Sequence, residues 1–220
     1  MNITISEEFT KIFPDFAGCA LTATVKNSEP DEDLWKEIAT LSDSYRQVLT
    51  EETIKQMPPI HATREAYKKF GKAPSRYRPA AEALMRRIVK GEELYKINTL
   101  ADLVNLASIY TGYSIGGFDL DKIQGDLVLG SGRAGEPYEG IGRGMLNIEN
   151  LPVYRDNIGG VGTPTSDNER TKITLETTHL LTLVNGYDGN EEQVRANAAF
   201  IQQLLRQYCD SDGGTCTIYY

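Results

Sequence analysis

The chain reads as an α+β domain, with a mixed sheet packed against helices. Three observations carry this reading. Helical periodicity dominates residues 30–112, short apolar runs between glycines dominate residues 113–190, and no regular strand–helix–strand repeat links the two. With 220 residues, 40% of them hydrophobic and 25% charged, the chain has enough material for one sizeable core. A single domain over residues 1–220 is expected.

Gly18 to Val25 is small and β-branched and predicts a strand. Pro30 and Asp31 open a helix with Leu34, Trp35, Ile38, Leu41, Tyr45 and Val48 at helical spacing. Met57 to Ile60 predicts an extended break, followed by a short helix from about Ala62 to Phe70 that Gly71 ends. Pro79 suits the first turn of the next helix, with Ala83, Leu84, Ile88 and Val89 inward and Gly91 as its stop. Asn98 or Thr99 caps a helix that runs to Gly112 with Leu100, Leu103, Val104 and Leu106 on its apolar side. Strands are predicted at 115–120, 126–129, 151–154 and 180–184, a closing amphipathic helix over 191–208, and a last strand over 215–220.

Several function classes drop out. No run of about 18 apolar residues spans a membrane. The first eight residues lack a signal-peptide pattern, so the expected location is the cytoplasm. Gly130-Ser131-Gly132-Arg133-Ala134-Gly135 matches a dinucleotide fingerprint, but Pro137, Gly140, Gly142 and Gly144 forbid the helix that should follow. With only His61, His179 and three cysteines, no zinc signature exists, and neither metal nor cofactor is expected. Cys209 and Cys216 are near in sequence, with reduced thiols as the default. The net charge of −8 argues against nonspecific nucleic-acid binding and against DNA as a partner. Between Arg64 and Lys96, however, ten basic residues face four acidic ones, a local excess of +6. Either this island is the solvated face of two helices, or Arg64, Lys68, Lys72, Arg76, Arg78, Arg86 and Arg87 form a phosphate-facing surface.

The remaining chemistry lies in polar residues beside apolar runs. Asn98, Asp102 and Asn105 share one helical face, and Asp119 closes Gly116-Gly117-Phe118-Asp119. Arg155-Asp156 precedes Gly159-Gly160, and Asp167, Arg170 and Thr171 follow. These residues read equally as a buried network pinning helix to sheet or as a ligand pocket.

The order of segments resembles a known family. His61-Ala62-Thr63-Arg64-Glu65-Ala66-Tyr67, Arg76-Tyr77-Arg78-Pro79, Ile97-Asn98-Thr99-Leu100-Ala101-Asp102 and Gly116-Gly117-Phe118-Asp119-Leu120-Asp121-Lys122 are similar to the B3/B4 domain of the phenylalanyl-tRNA synthetase beta subunit, in its stand-alone bacterial form. The resemblance runs from about residue 13 to residue 205. It implies an α+β editing module that clears a mischarged amino acid from tRNA, with aminoacyl-tRNA or a free amino acid as partner. It implies a pocket between the helix of Asn98, Asp102 and Asn105, the strand of Gly116 and Gly117, and the segment from Arg155 through Gly160 to Thr171. Within it, Asp102, Asp119 or Asp156 would orient a water, glycine amides would face an oxyanion, and Arg155 would hold an anion. Two positions depart from the family pattern: Gly116 stands where the synthetase has a histidine important for editing, and residues 178–184 lack its acidic residue. The alternatives are a noncatalytic tRNA- or amino-acid-binding module, or another small-molecule enzyme on the same fold. Nothing in the sequence signals an oligomeric state.

Overall fold

The computed structural model describes residues 1–220. Its elements are β1 (Ile3–Ile5), α1 (Glu7–Ile12), β2 (Ala17–Thr24), α2 (Glu32–Val48), α3 (Glu51–Gln56), α4 (Pro58–Lys69), α5 (Ala80–Val89), α6 (Thr99–Thr111), β3 (Ile115–Asp119), β4 (Leu127–Ser131), β5 (Glu139–Gly140), β6 (Gly144–Met145), β7 (Pro152–Arg155), β8 (Gly160–Gly162), β9 (His179–Gly186), α7 (Glu191–Tyr208) and β10 (Thr215–Tyr219). No helix is long and apolar enough to cross a membrane.

Two four-stranded sheets form the centre. One is antiparallel in the order β10-β2-β9-β3; the other runs β1-β4-β7-β8, with β1 parallel to β4. Strand period explains how they stack. On β9, Leu180 and Val184 face a core shared with α2, α6 and α7, whereas Leu181 and Leu183 face the second sheet and α1. Being covered on both faces, β9 is buried almost throughout, and truncating Leu181 or Leu183 to alanine would cost about 2–5 kcal/mol.

Local chemistry fixes α6, the helix that matters most for the site. The Asn98 side chain accepts from the Ala101 N–H at 2.9 Å, and Gly112 takes the left-handed turn after the last residue (φ 80°).

Three expectations are corrected. The segment after Met57 is helical from Pro58, because proline at the first helical position has no N–H to leave unpaired. Helix α5 fully buries Ala81, Glu82, Met85 and Ile88, while the expected Leu84 and Val89 pack half-buried against the same cluster, because the inward face is rotated to place Glu82 under arginines. Cys216 is joined to Cys19, not poised near Cys209, because β10 lies beside β2 while Cys209 stays free and buried at the end of α7.

Candidate functional site

The site begins with a turn. After β8, Thr163-Pro164-Thr165-Ser166 folds back, with the Thr163 hydroxyl accepting from the backbone N–H groups of Thr165 (3.2 Å) and Ser166 (3.1 Å). The returning chain is stitched to β8 by the Asn168 N–H on the Val161 carbonyl, and to the β5–β6 hairpin by the Ile141 N–H on the Asp167 carbonyl. Asp167 is thereby aimed at β3, where its Oδ2 accepts the Gly117 N–H at 3.1 Å.

Asp167 stands on the wall of a cavity of about 350 Å³ bounded by α6, β3 and residues 163–173. Ala101, Val104 and Asn105 of α6, one helical face, form one side, and Gly117 and Ile115 form another. A side chain at Gly117 would press on Ile173 and Val104, so the glycine keeps the cavity open. Ser114, with a hydroxyl that has no partner in the protein, Ser166 and Lys172 add polarity. Burial dominates at Asp167 and one backbone N–H offsets it only in part, so its carboxyl is pushed up to about 7. At neutral pH such a group holds or releases a proton with nearly equal ease.

Among the residues expected to form the pocket, the structure brings Asn105 and Gly117 to this cavity. The others lie elsewhere or are held by protein partners. Asn98 caps α6. Asp102 is buried, with one oxygen on the Trp35 indole N–H (2.7 Å) and the other on the Ile97 N–H (3.1 Å). Asp119 accepts from the Thr177 hydroxyl and pairs with Lys122 at 3.1 Å. Asp156 receives Arg170 through both oxygens (2.9 and 3.0 Å) and the N–H groups of Gln124, Ile158 and Gly159. Burial raises the Asp156 carboxyl, but these donors outweigh it and hold the group below its usual range. Arg155 forms a fork with Glu136 at 2.6 Å and faces a separate polar recess. Gly160 is pressed against the Tyr138 ring, and Thr171 is fully buried. At Gly116, a Cβ would sit 2.5 Å from the tip of the Phe118 ring, which Gly162 flanks from β8 at the same spacing. The ring occupies the room that a side chain at residue 116 would need.

Much of the basic island is tied to partners within the protein. Glu82, fully buried, pairs with Arg64 (2.8 Å), Arg78 (3.6 Å) and Arg86 (3.8 Å), and Arg86 also holds Glu51. Lys68 pairs with Glu65 on its own helix, and Lys72 is buried, donating to the Asn147 and Glu149 carbonyls beneath the Tyr77 ring. Arg76 lies over the same Tyr77 ring, 5.6 Å from its centroid, and Arg87 pairs with Glu92 at 3.0 Å.

The sequence profile of the family described as B3/4 domain matches residues 62–209, two-thirds of the chain and every wall of the cavity. The chain belongs to the B3/4 domain family. A crystallised N-terminal fragment of the phenylalanyl-tRNA synthetase beta subunit from Pyrococcus horikoshii is similar at 16% identity with a TM-score of 0.48, over 98% of this chain and 50% of that one. This B3/4 domain thus spans half the length of that fragment. No curated protein matches the chain.

The sequence places Asp167 among the polar residues of the 155–171 segment but not among the catalytic candidates Asp102, Asp119 and Asp156. Its signal was available: a Thr-Pro-Thr-Ser turn directly after the glycines of β8 presents the next side chain back across the sheet edge. What the sequence does not carry is the dryness of the wall that meets it.

Proposed function

We propose that this B3/4 domain hydrolyses the ester of a mischarged aminoacyl-tRNA, working as a free-standing editing factor in the cytoplasm, with Asp167 as the base. The observation that supports this most is the carboxyl of Asp167, brought to about 7 on the wall of a cavity sized for an amino-acid side chain. A carboxylate of that affinity takes a proton from water far better than an ordinary aspartate does. In this reading Asp167 accepts a proton as water attacks the ester carbonyl carbon. The oxyanion that forms faces the side-chain amide of Asn105, and its collapse expels the ribose hydroxyl, which takes the proton back from Asp167. An aminoacyl ester is already activated, so positioned water and a base suffice without a covalent intermediate.

Two observations favour a second reading, a module that binds without turnover: neither histidine reaches the cavity, and the Phe118 ring fills the space beside Gly116. A panel of misacylated tRNAs, including tyrosyl-tRNA(Phe), separates the two. Clearance of one species above its spontaneous rate supports the hydrolase. A tRNA or amino acid that raises Tm with no clearance of any species supports the binding module.

A further inference from the structure

The Asp167 side chain makes a single hydrogen bond, to the Gly117 N–H, so its direction is set by the backbone on either side of it. On the far side, the Asp167 carbonyl accepts the Ile141 N–H at 3.1 Å, and the Asn168 N–H reaches the Val161 carbonyl at 2.9 Å. On the near side, three donors converge on the Ser166 carbonyl. They are the Thr163 N–H (3.1 Å), the Thr163 hydroxyl (3.0 Å) and, closest of all, the Tyr138 hydroxyl (2.6 Å).

Tyr138 comes to this turn from outside it, directly ahead of β5 and 28 residues before Ser166. It is buried, with its ring on Gly160 of β8, where a Cβ would come within 2.7 Å of it, and with Tyr67 and Val153 packed around it. That packing places the hydroxyl, which also lies 3.4 Å from the Val161 carbonyl. Burial, with the Asp167 charge adding to it, holds the phenol in its neutral form, so it donates a hydrogen bond and does not act as a base. Tyr138 is not on the wall of the cavity and touches nothing bound there. Both peptides that flank the Asp167 side chain are therefore tied to residues 138–141, one by the Tyr138 hydroxyl and the other by the Ile141 N–H.

We propose that Tyr138 is a positioning residue for Asp167: its hydroxyl pins the Ser166 carbonyl and so keeps the Asp167 carboxyl against β3 and away from water. The inference rests on the reading of Asp167 as the base. A base displaced by about 1 Å loses on the order of 10²-fold in rate, and a carboxyl that turns to water regains its ordinary affinity for a proton. Tyr154 supplies the contrast. It is another buried tyrosine, bonded to Asn185 (2.6 Å) and Tyr219 (2.7 Å), but it leaves β7 on the face opposite to the one Val153 turns toward Tyr138.

The test follows the Asp167 carboxyl by NMR in the full chain labelled with carbon-13 aspartate, its signal identified by its loss in Asp167→Asn. The wild-type carboxyl should titrate with a midpoint of about 7. Tyr138→Phe removes one oxygen, leaving the ring on Gly160 and both Thr163 donors on Ser166, so the variant folds. Its midpoint should fall by about one pH unit or more as the carboxyl gains water. Thr163→Val, which takes the other hydroxyl from the same carbonyl, should also lower the midpoint, and Thr163→Ser should restore it. Tyr154→Phe loses the same group elsewhere and should stay within about 0.2 pH unit of wild type, even where its Tm falls as far. In single-turnover deacylation, Tyr138→Phe should be slower by about tenfold or more, with the half-saturating tRNA concentration within about twofold of wild type. A Tyr138→Phe midpoint within about 0.2 pH unit of wild type, or an equal shift in Tyr154→Phe, overturns the proposal. A midpoint that shifts in Tyr138→Phe but not in Tyr154→Phe, in a protein that clears no misacylated tRNA, upholds the positioning role and sinks the hydrolytic reading. Clearance that needs Asp167 but not Tyr138 does the reverse.

Discussion

Asp167 and Asp156 stand on the two sides of strand β8 with opposite electrostatics. Asp156 gathers five donors, including both arms of Arg170, whereas Asp167 accepts one backbone N–H, from Gly117. Both lose water on folding, yet only Asp156 is compensated. The result is one carboxylate fixed as a strut and one left close to neutrality in its affinity for a proton, and environment alone separates the roles.

Removing the strut should cost stability and spare chemistry. Asp156→Ala leaves Arg170 without its partner and strips three N–H groups of an acceptor, a loss of about 3 kcal/mol, or roughly 6–12 °C in Tm for a chain of this size. Below its new Tm the variant should deacylate at near wild-type rate per folded molecule. A hundredfold loss of activity at unchanged Tm would place Asp156 in the chemistry instead.

The raised affinity of Asp167 fixes the sign of a pH effect on stability. Its folded value, about 7, exceeds its ordinary value of 3.8, so between roughly pH 4 and pH 7 the folded state holds the proton that the unfolded state has released. This group therefore makes stability fall as pH rises through that window, by up to about 1.4 kcal/mol per pH unit, and has no further effect above it. Asp167→Asn should remove that component. Urea unfolding at pH 5 and pH 8 checks it: the gain in stability of the variant over wild type should be clearly larger at pH 8 than at pH 5. Equal differences at both pH values would show that the carboxyl is not perturbed.

Glu82 is the hub that organises α4 and α5. Replacing it by glutamine leaves Arg64, Arg78 and Arg86 with no shared counter-charge in a largely dry setting, and should cost about 3 kcal/mol in a thermal melt. A stability change below about 0.5 kcal/mol would mean that water already serves the three guanidinium groups.

Gly116 is held by the Phe118 ring. Phe118 is itself fully buried between Gly116 and Gly162, so it cannot swing aside when a methyl arrives 2.5 Å from its tip. Gly116→Ala should cost about 1–3 kcal/mol, and histidine more. Gly116→His that keeps the wild-type Tm would show that the ring yields readily and that a histidine fits here.

Much of this was legible beforehand. The caps of α6, the double-faced apolar run of β9 and the closing helix α7 were clear because period and end signals agree there. The short elements β1, α1 and α3 were not, since three to six residues carry too little pattern. The inward face of α5 was hidden because a glutamate reads as solvated until the arginine of another helix, Arg64, is brought to it. At the site, family resemblance indicated which segments meet, and Asn105 and Gly117 do meet at the cavity. Asp167 could not be ranked above Asp102, Asp119 or Asp156 from sequence, because what distinguishes four aspartates is how many donors each finds after folding.

As the proposed base on an aminoacyl ester, Asp167 should set the pH dependence of hydrolysis. The most direct measurement is the single-turnover deacylation rate of wild type and Asp167→Asn on the misacylated tRNA that wild type clears, from pH 5.5 to 8.5. The wild-type rate should rise through about pH 7 to a plateau, and the variant should be slower by 10²–10⁴ with no such inflection, at equal or greater stability. An Asp167→Asn protein that clears the ester within threefold of wild type, with the same pH profile, would show that Asp167 is not the base.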